Sequence, residues 1–137
     1  MLRPAVPADL PNLLAIRDAS GADALSDPAL IAADYLAELI AAGAVSVWDD
    51  DGRAVGFAAV SEDDGAIRAL LVDPRHRGKG VGRALLDAAC AVLKNAGCLA
   101  ATLGIAAGGS AGRHYRAAGW VETAPGPTGG FVLKKPL

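Results

Sequence analysis

The sequence predicts a mixed α/β fold in which short strands alternate with amphipathic helices. Two acidic turns that end in Gly, at residues 49–52 and 62–65, separate apolar runs and are typical of β-hairpins. Three longer stretches repeat apolar residues at helical spacing. The third of these stretches lies between two apolar runs, and such a β-α-β unit requires a parallel pair of strands. The predicted order of elements is β-α-α-β-β-β-α-β-α-β-β.

The N-terminal third is predicted to contain one strand and two helices. The strand covers Leu2–Val6, and Asp9 is a candidate N-cap for a first helix that Ser20-Gly21 ends. The pair Asp27-Pro28 gives the same kind of start to a second helix, which runs to Gly43. The residues expected on the buried face of this second helix are Leu30, Ile31, Tyr35, Leu39 and Ile40.

Three strands follow, predicted at residues 44–48, Arg53–Ser61 and 66–73. The acidic residues between them are expected to serve turn chemistry, because Asp side chains accept hydrogen bonds from nearby backbone N–H groups. We therefore predict no metal site from these acidic runs.

The last of these strands leads into a basic, glycine-rich turn. Gly78, Gly80 and Gly82 place no Cβ over the turn, so a ligand can approach its backbone closely. The helix that follows directs unpaired N–H groups and the positive end of its dipole into the same turn. Basic side chains on the turn are Arg75, His76, Arg77, Lys79 and Arg83. Together these features predict an anion site for a phosphate or pyrophosphate, although the glycine spacing matches neither a P-loop nor a dinucleotide fingerprint.

The remaining elements follow from the same kinds of pattern. The helix after the turn is predicted over residues 81–96, with Gly97 at its end, and Cys98–Ile105 is the next strand. The buried stripe expected on this helix consists of Val81, Leu85, Ala88, Ala89, Val92 and Leu93. A short helix capped by Ser110 is predicted over residues 111–118, and a terminal hairpin over residues 120–123 and 131–134.

Composition limits the classes of function. With 137 residues, 53% of them hydrophobic, residues 1–137 are expected to form a single domain. The lack of a membrane-length apolar run or a signal-type start favours a cytoplasmic location without membrane contact.

Residues 1–64 contain twelve acids and three bases, whereas residues 65–137 contain three acids and ten bases. Because only 4% of residues are aromatic, nucleic acid is not expected as a partner. Cys90 and Cys98 are expected to be buried thiols.

One longer pattern joins the strand, the turn and the helix. It reads Arg75-x-x-Gly78-x-Gly80, preceded by Leu-x-Val-x-Pro and followed by Val-Gly-Arg-x-Leu-Leu. This pattern resembles the coenzyme A loop of the GNAT N-acetyltransferase superfamily. The resemblance implies the GNAT fold, with a mixed, mostly antiparallel central sheet across essentially the whole chain. It also implies transfer of an acetyl group from acetyl-CoA to an amine by direct attack, without a metal.

The same resemblance implies roles for individual residues. The backbone of Leu70, Leu71 and Val72 would pair with pantetheine and polarise the thioester carbonyl. The residues that would hold the pyrophosphate are Arg77, Gly78, Lys79, Gly80, Val81 and Gly82, with Arg83 as a charge partner.

A second pattern, Ala111-x-x-x-Tyr115-x-x-x-Gly119-Trp120, is similar to a helix of the same family. The family's Tyr commonly acts as general acid and protonates the departing CoA thiolate, and this role would fall on Tyr115. A phenol suits it because it is protonated at neutral pH. The alternative for Tyr115 is a packing role only.

The sequence departs from the family pattern in two places. Gly108 stands where the family often has an Asn that contacts the cofactor. Within the predicted strand Cys98–Ile105, residues Ala100–Ile105 contain no carboxylate, although many relatives have a Glu there that acts as general base. The base is therefore open among Glu62, Asp63 and Asp64 acting through water, and His114.

The resemblance implies an amine acceptor, either a small molecule or a protein, which is expected over the first two helices and the 124–130 loop. The acid-rich N-terminal half is compatible with a cationic acceptor. An alternative function is a CoA-binding sensor or interaction module with a degenerate site. The small helices leave room for a homodimer surface.

Overall fold

A seven-stranded sheet is the centre of the molecule in a computed structural model that describes residues 1–20, 32–76, 78–105, 115, 117, 119–125 and 131–137. The strands are β1 (Leu2–Pro4), β2 (Val45–Asp50), β3 (Arg53–Ser61), β4 (Ala66–Val72), β5 (Ala100–Ile105), β6 (Val121–Pro125) and β7 (Phe131–Pro136). Their spatial order is β1-β2-β3-β4-β5-β7-β6. β4 and β5 are parallel, and the other neighbouring pairs are antiparallel. The predicted mixed, mostly antiparallel sheet is confirmed.

Among the residues described, α1 (Leu10–Ser20), α2 (Ala33–Ala41) and α3 (Val81–Asn95) are α-helices that cover the two faces of this sheet. Successive side chains of a strand point to opposite faces, so Leu70 packs with α3 while its neighbour Leu71 packs with α1 and α2. The buried residues that α3 contributes are Val81, Leu85, Ala89 and Leu93. They belong to the predicted stripe, of which Val92 and Ala88 are half-buried.

The start of α1 differs from the prediction that Asp9 is its N-cap. A 3₁₀ turn begins earlier, at Pro7, and Asp9 lies inside it, with its carboxylate accepting the backbone N–H of Val6 at 2.8 Å. The same carboxylate accepts two hydrogen bonds at 2.8 Å from the guanidinium of Arg3, which also donates to Asp49 at 2.7 Å. Arg3 and Asp9 together therefore connect β1, the first helical turn and β2.

The predicted start of α2 at Asp27-Pro28 is wrong, because α2 begins at Ala33 and Ala32 before it is extended, with φ −62° and ψ 147°. Asp27, Pro28, Leu30 and Ile31 themselves lie outside the described residues. Within the described part, Leu36 and Ile40 are buried, whereas Tyr35 and Leu39 are half-buried. Leu36 is fully buried but is absent from the predicted face, because that face was centred on Tyr35 rather than on Leu36. Gly43, with φ +75°, follows the end of the helix as expected.

The hairpin between β2 and β3 is tighter than predicted. β2 continues to Asp50, and the turn consists of Asp51 and Gly52, both with positive φ, as in a type I′ turn. The predicted terminal hairpin is present as β6 and β7, with β7 inserted between β5 and β6. Of the helix predicted over 111–118, only Tyr115 and Ala117 are described, and both are helical.

Two further findings concern the surface and the thiols. None of the described helices combines the length and hydrophobicity needed to cross a bilayer. Cys90 and Cys98 are free and half-buried, rather than fully buried as expected. Burial raises the pKa of the Cys90 thiol, and the Cys98 thiol donates to the carbonyl of Glu62 at 3.3 Å.

Candidate functional site

A gap opens between β4 and β5 along most of their length. In the described part of the chain, Ala66 is the only β4 residue that pairs with β5, opposite Thr102, whose N–H donates to Gly65 O at 2.9 Å. From there β5 continues to pair with β7 on its other side. The two parallel strands are therefore paired at Ala66, at the start of β4, and separate toward the end of β4.

A β-bulge in β4 accounts for this separation. On β3, Ala59 and Val60 pair with Ala69 and Ile67 respectively, so Arg68 is an extra residue inserted into the register of β4. A bulge bends its strand and increases the local twist. Because the bulge follows directly after Ala66, it turns the second half of β4 away from β5.

The second half of β4 presents backbone groups to this gap. Asp73 N–H donates to Val55 O at 2.8 Å, so Asp73 is a hydrogen-bonded partner of β3, and by strand alternation so is Leu71. The N–H and C=O groups of Leu70 and Val72 consequently point away from β3, toward the gap. Of the three predicted backbone positions, two face the gap, while the backbone of Leu71 belongs to the β3–β4 ladder.

Asp73 shapes the turn that follows β4. Its carboxylate accepts the backbone N–H of Arg75 at 3.0 Å, and its carbonyl accepts the N–H of His76 at 2.8 Å, closing the 3₁₀ turn Pro74–His76. The Arg75 backbone hydrogen bond, followed by the Arg75 guanidinium at 3.4 Å, holds the pKa of Asp73 below its ordinary value. From the sequence, Asp73 was predicted only as the end of a strand, although Asp before Pro is a known turn-forming pair.

His76 ties the turn to the neighbouring hairpin. Its Nε2 lies 3.4 Å from Asp50 Oδ2 at the end of β2. This contact between residues 26 positions apart has no counterpart in any local sequence pattern. The turn is therefore fixed on one side by Asp73 and on the other by Asp50.

The glycines at the start of α3 leave open space. Gly78 and Gly80 have φ near +80°, and a Cβ built on either would have no atom within 4 Å. Gly80 is the N-cap of α3, and the N–H of Ala84 is the first to donate into the helix, to Gly80 O at 3.1 Å. The N–H groups of Val81, Gly82 and Arg83 are therefore not used within the helix. Such a helix start attracts an anion.

The open turn and the gap adjoin each other. A Cβ on Gly82 in the first turn of α3 would lie 3.7 Å from Cγ2 of Val72 at the end of β4. Lys79 and Arg83 are exposed beside the turn. Arg77 lies outside the described residues. The end of β4 at Val72 and the first turn of α3 at Gly82 are therefore neighbours, so the gap leads to the glycine turn.

Tyr115 belongs to the buried cluster on the α3 side of the sheet, which also contains Leu70. Its ring meets that of Trp120 edge to face, with centroids 6.1 Å apart, and the backbone N–H of Trp120 donates to the backbone carbonyl of Tyr115 at 3.0 Å. Burial raises the pKa of the Tyr115 phenol well above its ordinary value. The phenol therefore stays protonated throughout the range in which enzymes usually work.

The candidate bases lie at the other end of β4. Asp64 accepts the N–H of Ala66 at 3.0 Å and pairs with Arg68, and Glu62 and Asp63 are exposed in the same turn. The seven residues of β4 place this turn about 20 Å from the glycine turn. His114 and Gly108 lie outside the described residues. No group of three or more metal-ligating side chains is found among the residues described.

Comparison with known proteins gives the same picture at the level of family and fold. Residues 13–120 match the model of the Acetyltransferase (GNAT) family. A mycothiol acetyltransferase of Beutenbergia cavernae is 39% identical over 85 residues, which are 59% of this chain and 27% of that protein. The chain thus spans about a quarter of the length of this curated relative.

Two solved structures are similar to the whole chain. N-acetylglutamate synthase from Neisseria gonorrhoeae, complexed with coenzyme A and N-acetyl-glutamate, has a TM-score of 0.83 and 21% identity, with 100% of this chain and 35% of that one covered. Ribosomal-protein-alanine N-acetyltransferase from Brucella melitensis has a TM-score of 0.78 and 25% identity, with 100% and 99% covered.

Proposed function

Because this chain belongs to the GNAT family of acetyltransferases, we propose that it transfers the acetyl group of acetyl-CoA to a primary amine by direct attack in a ternary complex. The observation that carries the proposal is the gap between β4 and β5 running into the open glycine turn at the start of α3. A narrow, backbone-lined gap suits an extended chain, and the helix start suits a pyrophosphate.

The residues present fit coenzyme A. A Cβ on Gly78 or Gly80 would occupy the space above the turn, and neither residue has one. We assign the pyrophosphate to the backbone of Gly78, Gly80, Val81 and Gly82, with Lys79, Arg83 and Arg77 contributing charge. N-acetylglutamate synthase of the same fold was solved with coenzyme A. We propose a cytoplasmic location for this activity, with residues 1–137 acting as one domain.

When bound, acetyl-CoA supplies an acetyl group activated as a thioester. The N–H groups of Leu70 and Val72 face the gap, so we assign to them the polarisation of the thioester carbonyl as its oxygen gains charge. We assign to Leu71 only a packing role, in place of the predicted backbone contact with pantetheine, because its backbone is engaged with β3.

Tyr115 is the proposed general acid. The buried phenol is protonated at neutral pH and would give its proton to the thiolate as the C–S bond breaks, while the proton that the amine loses on attack passes through water and restores the phenol. The product pair is then an N-acetyl amine and free CoA thiol. The acceptor amine would enter from the side of α1 and α2.

The experiment that tests this function has two parts. The first part is thermal unfolding with and without CoA. Binding of CoA at about 100 times its Kd should stabilise the folded chain by about 2.7 kcal/mol and raise Tm. Release of free thiol from acetyl-CoA should then be measured across a panel of primary amines. No melting shift with millimolar CoA would contradict the proposal.

A second candidate is a CoA-binding sensor or interaction module with a degenerate site. The observation in its favour is the lack of a carboxylate in Ala100–Ile105, the sequence of β5. This candidate predicts the same melting shift with CoA but no thiol release with any amine in the panel.

A further inference from the structure

We propose that Asp73 is a positioning residue that sets the affinity of the glycine turn for coenzyme A without touching the ligand. The proposal rests on the function proposed above. It goes further by assigning the preorganisation of the turn to one carboxylate at the end of β4.

Asp73 is buried, with 8% of its surface exposed, and its backbone and side chain form hydrogen bonds with three different residues. Its N–H is bonded to Val55 O at 2.8 Å, its carbonyl accepts the N–H of His76 at 2.8 Å, and its carboxylate accepts the N–H of Arg75 at 3.0 Å. A single residue therefore joins the β3–β4 ladder to the turn that presents Gly78 and Gly80.

The carboxylate bond is the part that a side-chain change can remove. Without it, the N–H of Arg75 loses its acceptor where the chain leaves the sheet, and the turn gains freedom just before the glycines. A binding site that must be ordered by its ligand binds more weakly than a preorganised one. Loss of the carboxylate should therefore weaken CoA binding.

Simple electrostatics predicts the opposite sign. Asp73 is a negative charge close to a site for an anion, and it also holds the guanidinium of Arg75, which is 72% exposed. Removal of this carboxylate would free a positive charge and raise the local potential, which should tighten CoA binding. The direction of the change in Kd therefore separates a positioning role from a charge effect.

The test measures the Kd of CoA by isothermal titration calorimetry and the ligand-free Tm for four variants. We expect Asp73→Ala to raise Kd roughly tenfold, since a hydrogen bond to a charged group is lost. Asp73→Asn keeps an acceptor oxygen for Arg75 N–H, so its Kd should rise only about threefold. Arg75→Ala keeps the backbone bond and should change Kd by less than about threefold.

Asp49→Asn is the matched control. Asp49 likewise accepts a backbone N–H, from Gly52 at 2.6 Å, and an arginine side chain, from Arg3 at 2.7 Å, but it lies in the β2–β3 hairpin. Its substitution should lower Tm and leave the Kd of CoA unchanged. The contrast with Asp73→Asn distinguishes positioning from general loss of stability.

The Kd of Asp73→Asn decides between the two roles. A Kd that is unchanged or lower in this variant, while the wild-type chain binds CoA, would overturn the inference and leave the proposed function standing. The same comparison is decisive even if Asp73→Ala does not fold. No binding of CoA by the wild-type chain would overturn both. A Kd that rises from wild type through Asp73→Asn to Asp73→Ala supports the inference.

Discussion

Gly56 in β3 lies so close to Leu85 in α3 that a Cβ on Gly56 would be 3.0 Å from Leu85 Cδ1. The same Cβ would be 3.2 Å from Cγ1 of Val81 and 3.2 Å from the carbonyl oxygen of Leu71. The missing side chain therefore lets the first turns of α3 rest directly on β3. The start of α3 lines one side of the candidate site. Gly56 therefore determines how closely this part of the site approaches the sheet.

Gly56→Ala should push α3 away from the sheet. Overpacking of a well-packed core costs about 1–3 kcal/mol, and we expect a loss of stability in this range by urea unfolding. CoA affinity should fall as well, because the helix start moves relative to β4. Gly82→Ala is the control for stability, since its Cβ would meet Val72 at an ordinary 3.7 Å. It should be neutral or stabilising by up to about 1 kcal/mol. Equal stability of Gly56→Ala and wild type would contradict this account.

Gly80→Val should abolish the melting shift with CoA. The substitution places a branched side chain in the open space above the turn, and it also strains a residue with φ +80°. Gly97→Val controls for the strain. Gly97 has φ +93° and equally open surroundings, but it lies past the opposite end of α3. Both variants should lose ligand-free stability, and only Gly97→Val should keep the CoA shift. Loss of the shift in both would assign it to strain.

Local patterns sufficed to predict most elements. Strand β3 was predicted with its observed bounds, Arg53–Ser61, because a turn containing Gly delimits it on each side. The buried residues of α3 followed from their period of 3.6. The family and the mixed sheet were likewise predicted, and the comparisons and topology confirm them.

Features that depend on distant parts of the chain were not predicted. The bulge at Arg68 arises from the pairing of β4 with β3, which local sequence does not encode, and the free backbone beside Leu70 was expected only from the family resemblance. The contact between His76 and Asp50 depends on how the hairpin folds over the turn. Asp9 was misassigned because its main partner, Arg3, belongs to β1. The roles of the site residues remain predictions.

Tyr115→Phe should lower kcat by about 10- to 1,000-fold and leave CoA affinity nearly unchanged, because only the proton donor is lost. Because burial raises the pKa of Tyr115, the acid stays protonated as the pH rises, and kcat should show no alkaline loss up to about pH 10. Tyr35→Phe is the matched control, since Tyr35 is half-buried in α2. Its kcat should equal that of wild type. An unchanged kcat in Tyr115→Phe would reassign Tyr115 to packing.

Arg3→Met should destabilise the chain in a pH-dependent manner. The hydrogen bonds from Arg3 lower the pKa values of Asp9 and Asp49. A lowered carboxyl pKa contributes stability that is fully present above the ordinary value near 4 and is lost as the pH falls below it. At pH 7 the variant leaves the buried Asp9 carboxylate without its main partner, at a cost of about 1–3 kcal/mol.

Urea unfolding at pH 7, 5 and 3 checks this sign. The difference in unfolding free energy between wild type and Arg3→Met should be largest at pH 7 and smallest at pH 3. Arg53→Met, which replaces an exposed arginine at the start of β3, serves as control and should show little difference at any pH. A difference in unfolding free energy that increases toward pH 3 would refute the assigned role of Arg3.

Proton removal from the acceptor is expected to depend on water rather than on one side chain. β5 has no carboxylate, and Asp64 already accepts the N–H of Ala66 and pairs with Arg68. We therefore expect that no single residue is indispensable as a base for the acceptor ammonium. Replacement of Glu62, Asp63 and Asp64 by Ala, one at a time, should each reduce kcat/KM less than about tenfold, below the 10²–10⁴ typical of a positioned base.

The three variants should differ in stability rather than in rate. Asp64→Ala removes a turn hydrogen bond and an ion pair, so its urea midpoint should fall further than those of Glu62→Ala and Asp63→Ala. The rate should rise with pH as the acceptor amine itself loses its proton, in wild type and all three variants alike, because only the free amine attacks the thioester. If one variant lost catalytic efficiency by about 100-fold or more, within the range of a positioned base, while its circular dichroism spectrum was unchanged, that residue would be the base.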